Sequence, residues 1–192
     1  MPKSRQSLNE FIMNVENEIY NIVDENDQII GQASRKHIHK NKLLHRSVHT
    51  LVFNSKKELF LQKRALCKDE NPGLWDTSSA GHVDAGESYD ACAHRELWEE
   101  LNLKAALKTS IKISACQETY GEHVQVYICV TDDAIKINLE EISEGAFFSL
   151  AQIQKEISIK PAQFTSFFKL LFNQIRDVEN ISLNKIEFEG KI

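Results

Sequence analysis

Residues 81–103 read GHVDAGESYDACAHRELWEELNL, one short loop running into a helix that carries Glu87, Arg95, Glu96, Glu99 and Glu100. At 100° per residue Glu96, Glu99 and Glu100 fall within an arc of roughly 100° on the helix surface. Ala93, Leu97 and Leu101 form an apolar stripe beside that arc and can anchor the helix on a sheet. Like charges at i and i+4 cost a helix only a few tenths of a kcal/mol per pair. A solvated acidic face is therefore one reading. A divalent cation that offsets the repulsion is the other, because Mg²⁺ prefers carboxylate oxygens and leaves positions open for substrate phosphate. Such a cation polarises a phosphoryl oxygen and lowers the pKa of a bound water, which is the chemistry of phosphoanhydride cleavage.

The spacing decides between these readings. Gly81, Glu87, Arg95-Glu96-Leu97, Glu99-Glu100 and Leu103 stand at eight of the nine fixed positions of the Nudix box, G-x5-E-x7-R-E-U-x-E-E-x-G-U; the ninth, a glycine, is Asn102 here. The segment thus resembles the Nudix hydrolase family. The resemblance implies an α+β fold, a Nudix-type α/β/α sandwich with a mixed β-sheet and the box as a loop–helix–loop. It also implies cleavage of a nucleoside diphosphate linked to another group, with Mg²⁺ or Mn²⁺. Carried over by position, Glu96, Glu99 and Glu100 correspond to metal ligands, and a backbone carbonyl at Ala80 or Gly81 completes the set. Glu87 and Arg95 correspond to an ion pair tying the loop to the helix. The Asn102 departure affects the helix exit and not the ligands.

Upstream, Q-K-R, P-G-x-W and S-x-G-H-x-x-x-G-E-S within residues 44–88 resemble isopentenyl-diphosphate isomerases, which share the Nudix fold. Those enzymes need a cysteine immediately before the Gly-His pair, where this chain has Ala80. A methyl group neither donates nor accepts a proton, so one acid/base partner is missing. Their later E-x-E pair has its nearest match in Glu122 followed by Val124. His45 and His82 stand as counterparts of some of their metal-binding histidines. With the REUxEE run intact, the expectation is a hydrolase that resembles the isomerases in outline; a non-catalytic nucleotide-binding protein and an isomerase are the alternatives.

Beyond the box, Lys63 and Arg64 end a predicted strand and either face substrate phosphates or are solvated. Trp75 stacks a base or packs under the loop. His82 reaches phosphate or metal, or makes a structural hydrogen bond. His37, His39, His45 and His49 have spacings that suit a metal, but a basic helix and a strand start explain them. The candidates for the catalytic base are Glu99, Glu118 and Glu122, while Glu140, Glu141 and Glu144 read as an exposed acidic linker.

The whole chain of 192 residues suits one domain. The expected boundaries are an N-terminal arm or short helix at 1–17, the Nudix domain at 18–178 and a tail at 179–192. A net charge of −5 argues against a nucleic-acid partner, whose footprint is a basic patch. No apolar run suggests a signal peptide or a membrane span. Four dispersed cysteines read as reduced thiols of a cytoplasmic protein. The expected partner is a small phosphorylated substrate, a nucleotide for preference, with homodimer formation left open.

In detail, IYNIV and QIIGQAS flank a DEND turn as a hairpin, Ser34 starts a short basic helix, and residues 47–64 form a second hairpin. Ser88 caps the box helix, Asp90 sits in its first turn and Asn102 takes its left-handed exit. Residues 107–119 and 123–131 form an antiparallel pair, GAFFSL is a further strand, and Pro161 opens a core-packing helix rich in phenylalanine.

Overall fold

The computed structural model of the chain describes residues 17–179. The expected arm at 1–17, apart from its last residue, and nearly all of the tail lie outside the described residues. Strands β1 (Ile19–Val23) and β2 (Ile29–Ser34) form the predicted hairpin, and Ser34 caps helix α1 (Arg35–Asn41) by accepting from the amide of His37. Then follow β3 (His45–Phe53), β4 (Leu59–Arg64), β5 (Trp75–Asp76), β6 (Ser79–His82) and the box helix α2 (Tyr89–Leu101). The chain continues with β7 (Lys108–Ile113), β8 (Glu122–Val130), β9 (Ile142–Phe148), α3 (Leu150–Ile159) and α4 (Ser166–Glu179).

Strand β3 organises the sheet. It runs parallel to β8 from His45↔Glu122 to Phe53↔Val130 and antiparallel to β6 from Ser47↔His82 to Thr50↔Ser79. Strands β4, β5 and β9 form a second antiparallel group that meets β3 only at Phe53↔Leu59, the foot of the hairpin. The two groups therefore splay apart, and the opening between them is the cleft.

Alternation along each strand sorts side chains to two faces. Leu51, Phe53, Leu59, Leu61, Val124 and Val126 meet Ile153 of α3 and Phe164, Phe167, Phe168, Leu171 and Phe172 around α4. Val48, Val52, Phe60, Tyr127 and Cys129 turn the other way onto Cys92, Ala93, Leu97 and Leu101 of α2. Helices on both faces of a mixed sheet make the α/β/α sandwich that the box implied. The helix ends are also as read: Ser88 Oγ accepts from Ala91 N at 3.1 Å, and Asn102 has φ 52°.

Three expectations need correction. Pro161 opens only a 3-10 turn, Pro161–Gln163, and α4 begins at Ser166 with the hydroxyl of Thr165 bonded to the amide of Phe168. The strand expected at GAFFSL begins earlier, at Ile142, so Glu144 belongs to β9 and Glu141 holds Lys68; the acidic linker is part of the fold. Apart from these corrections, β3 and β8 pair in parallel, which the local pattern does not announce.

Asp27, at φ 60° in the β1–β2 turn, ties the hairpin to the body. It accepts from Arg46 Nε at 2.6 Å and from Tyr89 Oη at 3.1 Å, and it pairs with Lys112. Burial opposes its charge, yet Lys112 and Arg46 outweigh that and hold its carboxyl below the ordinary range. Asp27→Ala is expected to cost about 1–2 kcal/mol at neutral pH, the solvent-screened end for charge-assisted hydrogen bonds. A depressed folded pKa means that this contribution is present above the unfolded pKa and lost as pH falls through the folded one. Urea denaturation of parent and variant should therefore differ at pH 7 and converge in acid.

Candidate active site

The box loop is held by one guanidinium. Arg95 donates from Nε to Glu87 Oε1 at 3.0 Å and from Nη2 to Glu87 Oε2 at 2.9 Å, with a further bond to the His82 carbonyl at 3.1 Å. Its Nη1 reaches Glu96 Oε1 at 2.5 Å and Glu99 Oε2 at 3.2 Å. The Glu87–Arg95 tie is thus formed in bidentate geometry, and the same cation partly neutralises two of the three box carboxylates. Burial works against the charge on Glu87, and Arg95 more than reverses it, holding that carboxyl below the ordinary range.

Glu96 and Glu100 stand one turn apart on α2 and face inward; Glu100 is 5% exposed. Burial raises the pKa of both above the usual carboxylate range, and at Glu96 the neighbouring Glu100 adds to it. Glu100 accepts from the amide of Ala80 at 3.0 Å and from Gln62 Nε2 at 3.2 Å. The carbonyl of Ala80 or Gly81 is expected in the coordination shell; the contact formed here is the Ala80 amide on Glu100. Gly81 lies so close to Glu96 that a Cβ there would overlap the Glu96 carboxylate. Only glycine leaves room for this cradle. Two inward carboxylates around such a gap, Glu100 buried and Glu96 partly so, fit a hard divalent cation. Glu99 sits at the rim, its side chain 53% exposed.

These groups line a cleft of about 620 Å³. Its other wall carries Arg35, Arg64 and Lys68, paired with Asp69 at 2.6 Å, Asp76 at 3.8 Å and Glu141, respectively. Arg64 thus faces the cleft as one of the two readings has it. Lys63, its neighbour on the opposite face, is not among the lining residues; it pairs with Glu144 at 3.5 Å and stands over the Trp75 ring at 5.6 Å. Trp75 packs edge-on against Phe148 at 5.3 Å and likewise does not line the cleft.

Behind the cleft, α1, β3 and β6 bring three histidines together. The ring centroids of His39, His45 and His82 lie 5.0–5.2 Å apart. His39 Nδ1 is held by Glu70 at 3.1 Å and His45 Nδ1 by the Leu43 carbonyl at 3.0 Å. The Nε2 atoms of both are buried without a hydrogen-bond partner. Glu122 closes the group, 3.1 Å from His82 Nε2 and 3.5 Å from His45 Nε2. Burial pushes the His82 pKa down; at His45 Glu122 overcomes burial and pushes it up; and the two rings hold Glu122 well below the ordinary range despite its burial. At His39 one ring nitrogen is fixed and the other left bare, the arrangement of a metal-ligating histidine with its orienting partner, while at His45 the second nitrogen faces Glu122. His39, His45 and His82 can hold one cation together, as can Glu70, His82 and Glu122.

Of the three base candidates, Glu99 is at the cleft rim, Glu122 is fixed between histidines, and Glu118 lines a neighbouring cavity of about 700 Å³. Glu70 and Lys68 come from the turn before Pro72, where the sequence offered only a loop, and Arg35 lay unremarked within the basic helix. His37 stands apart at the start of α1, bonded through its amide to Ser34.

The model of the NUDIX domain matches residues 43–168. The isopentenyl-diphosphate Delta-isomerase of Pectobacterium atrosepticum is 37% identical over 161 residues, 81% of this chain and 90% of that protein. The uncharacterized Nudix hydrolase PA4841 of Pseudomonas aeruginosa is 34% identical over 142 residues, covering 73% of this chain and 81% of that one. Among solved structures, DR0079 from Deinococcus radiodurans superposes with a TM-score of 0.66 at 26% identity, covering 74% of this chain and 90% of its own. Box, fold and matched family agree: the chain belongs to the Nudix family, in a branch that resembles the isopentenyl-diphosphate isomerases.

Proposed function

We propose that the chain is a hydrolase that cleaves a phosphoanhydride of a nucleoside diphosphate derivative, with Mg²⁺ or Mn²⁺ held at Glu96 and Glu100. The observation that carries this reading is the inward carboxylate pair with its pKa values pushed up beside the gap that Gly81 leaves. A bound cation there supplies Lewis acidity to a phosphoryl oxygen and acidifies water. Arg95 sets the rotamer of Glu96 and ties down the loop through Glu87. Arg35, Arg64 and Lys68 exchange their carboxylate partners for substrate phosphates. Glu99, at the rim, is the best placed of the three glutamates named as bases. The catalytic unit is residues 18–178, and its compartment is the cytoplasm, a reading supported by four free thiols; no described helix is long and apolar enough to cross a membrane.

His39, His45, His82 and Glu122, with Glu70 behind His39, form a second donor set, suited to a cation that accepts imidazole. The 37% identity to a protein named as an isomerase favours the isomerase as the second reading. Ala80 weighs against it, because its methyl moves no proton, and Val124 leaves Glu122 without its E-x-E companion.

A panel of nucleoside di- and triphosphates, nucleotide sugars and isopentenyl diphosphate, assayed with Mg²⁺ on parent and Glu100→Gln, tests the reading. Turnover of an anhydride that drops by about 10³-fold in the variant is expected, since the metal supplies several kcal/mol at tenfold per 1.36 kcal/mol. Isomerisation of isopentenyl diphosphate by the parent would favour the second reading. Binding of a panel compound with no chemistry at all would make the chain a nucleotide-binding member of the family.

A further inference from the structure

His49 was grouped in the sequence with the other histidines, yet it is not one of the metal-suited cluster. It sits two turns of the pleat further along β3, directly opposite Ala80 in the β3–β6 ladder. Opposed residues share a face, so the ring and the Ala80 methyl project together onto the cleft floor, and both are among its lining residues. Two contacts fix the ring. Its centroid lies 4.0 Å from that of Phe167, which holds it in place from α4. Its Nδ1 lies 2.7 Å from the hydroxyl of Thr77. That hydroxyl is itself 3.4 Å from the Ser79 carbonyl, to which it donates, and the Thr77 amide is anchored on Asp76 at 2.8 Å. A hydroxyl that gives its proton to Ser79 receives one from Nδ1–H, and the lone pair is then on Nε2.

Nε2 makes no hydrogen bond among the described residues, and unlike the Nε2 atoms of His39 and His45 it is not sealed from solvent. A nearly buried ring, 8% exposed, thus presents one bare acceptor to the cleft. The methyl of Ala80 across the ladder leaves space above it and offers no competing donor.

We propose that His49 is a catalytic residue that accepts the proton of the attacking water through Nε2. The proposal rests on the hydrolase reading above. In the step, the O–H bond of water breaks and its proton goes to Nε2. The oxygen lone pair forms the new bond to phosphorus, and the bond from phosphorus to the leaving phosphate oxygen breaks with its electron pair on that oxygen. His49 then returns the proton to solvent. The ring suits this task because it rests neutral. Burial lowers its pKa; Asp76 and Glu122 oppose that, while Arg64 and His82 reinforce it.

The test uses the full chain and the best anhydride substrate from the panel. His49→Gln keeps a polar group of similar reach that cannot be protonated near neutrality; His49→Phe removes the acceptor. A general base is worth about 10²–10⁴-fold in rate. Both variants should therefore lose about that much in kcat, with KM and the Mn²⁺ affinity within about twofold of the parent. An unchanged kcat, or a loss confined to KM, overturns the proposal. Where the variants do not fold, ¹⁵N NMR of histidine-labelled parent decides. The Nδ1–H tautomer and an Nε2 resonance that moves when Mg²⁺ and methylenediphosphonate are added are expected. The opposite tautomer, or a resonance that stays in place, overturns it. A parent that turns over no anhydride defeats the hydrolase reading itself, an outcome separate from active enzyme that is indifferent to position 49.

Discussion

Metal-free protein is expected to lose stability as pH rises from about 5 to about 8, and Mg²⁺ to restore it at the upper end. The cause is the Glu96–Glu100 pair: burial raises both pKa values, to about 8 at Glu96, where the neighbouring Glu100 adds to it, and to about 7 at Glu100. An acid whose folded pKa lies above its unfolded value binds more protons folded than unfolded between the two. Its contribution to stability is then greatest below the unfolded pKa and declines as pH rises to the folded one. Each unit corresponds to 1.36 kcal/mol. Solvent relaxation and the opposite contributions of His49 and His82, whose lowered pKa values make stability rise with pH through this window, reduce the net, so the difference expected between the two pH values is on the order of 2–4 kcal/mol in the metal-dependent part. Thermal denaturation with and without Mg²⁺ at both pH values measures it: the gain in Tm should be large near pH 8 and small near pH 5. The double variant Glu96→Gln, Glu100→Gln should be the more stable protein near pH 8 without metal and should not respond to Mg²⁺. Equal Mg²⁺ gains at both pH values would contradict the assignment.

Gly81→Ala is the second large effect. The methyl would occupy the volume of the Glu96 carboxylate, and both the terminal oxygen and the carbons behind it stand in the way. Glu96 must swing off its inward rotamer, leaving Arg95 and the cleft. Overpacking of this kind costs about 1–3 kcal/mol of stability. The larger loss is functional: with one of two inward carboxylates displaced, metal affinity should fall by at least about 10²-fold, more than the 10–100-fold typical of losing an outer-shell partner. Mn²⁺ titration followed by electron paramagnetic resonance reads the affinity, and circular dichroism verifies that the fold persists. Parent-like affinity in Gly81→Ala would mean that Glu96 does not hold the metal.

The parts of this molecule legible in the sequence are those set by neighbours along the chain. While the Arg95–Glu87 tie is what the family resemblance implies, the Ser88 cap, the left-handed Asn102 and the shared arc of Glu96, Glu99 and Glu100 follow from helical spacing and a short loop. So does Ser34 at the start of α1. What the sequence did not disclose depends on distant segments meeting. Parallel pairing joins His45 to Glu122 across the whole box, and no periodicity of period 2 distinguishes it from antiparallel pairing. The histidine cluster draws on α1, β3 and β6, so that His39, His45 and His82 read as a basic helix, a strand start and a loop until the sheet assembles. Lys63 and Arg64 looked equivalent, but alternate residues of β4 face opposite ways, and only Arg64 lines the cleft. His49 looked like one more histidine of that run; register alone places it across from Ala80.

Hydrolysis at phosphorus is the centre of this account, and ¹⁸O transfer tests it most directly. The protein, Mg²⁺ and the best anhydride substrate are incubated in H₂¹⁸O, and the products are read by ³¹P NMR and mass spectrometry. One ¹⁸O atom in one of the two phosphate products per turnover, absent with Glu100→Gln, is the predicted result. Unlabelled products, or isopentenyl diphosphate converted to its isomer with the diphosphate intact, would contradict it.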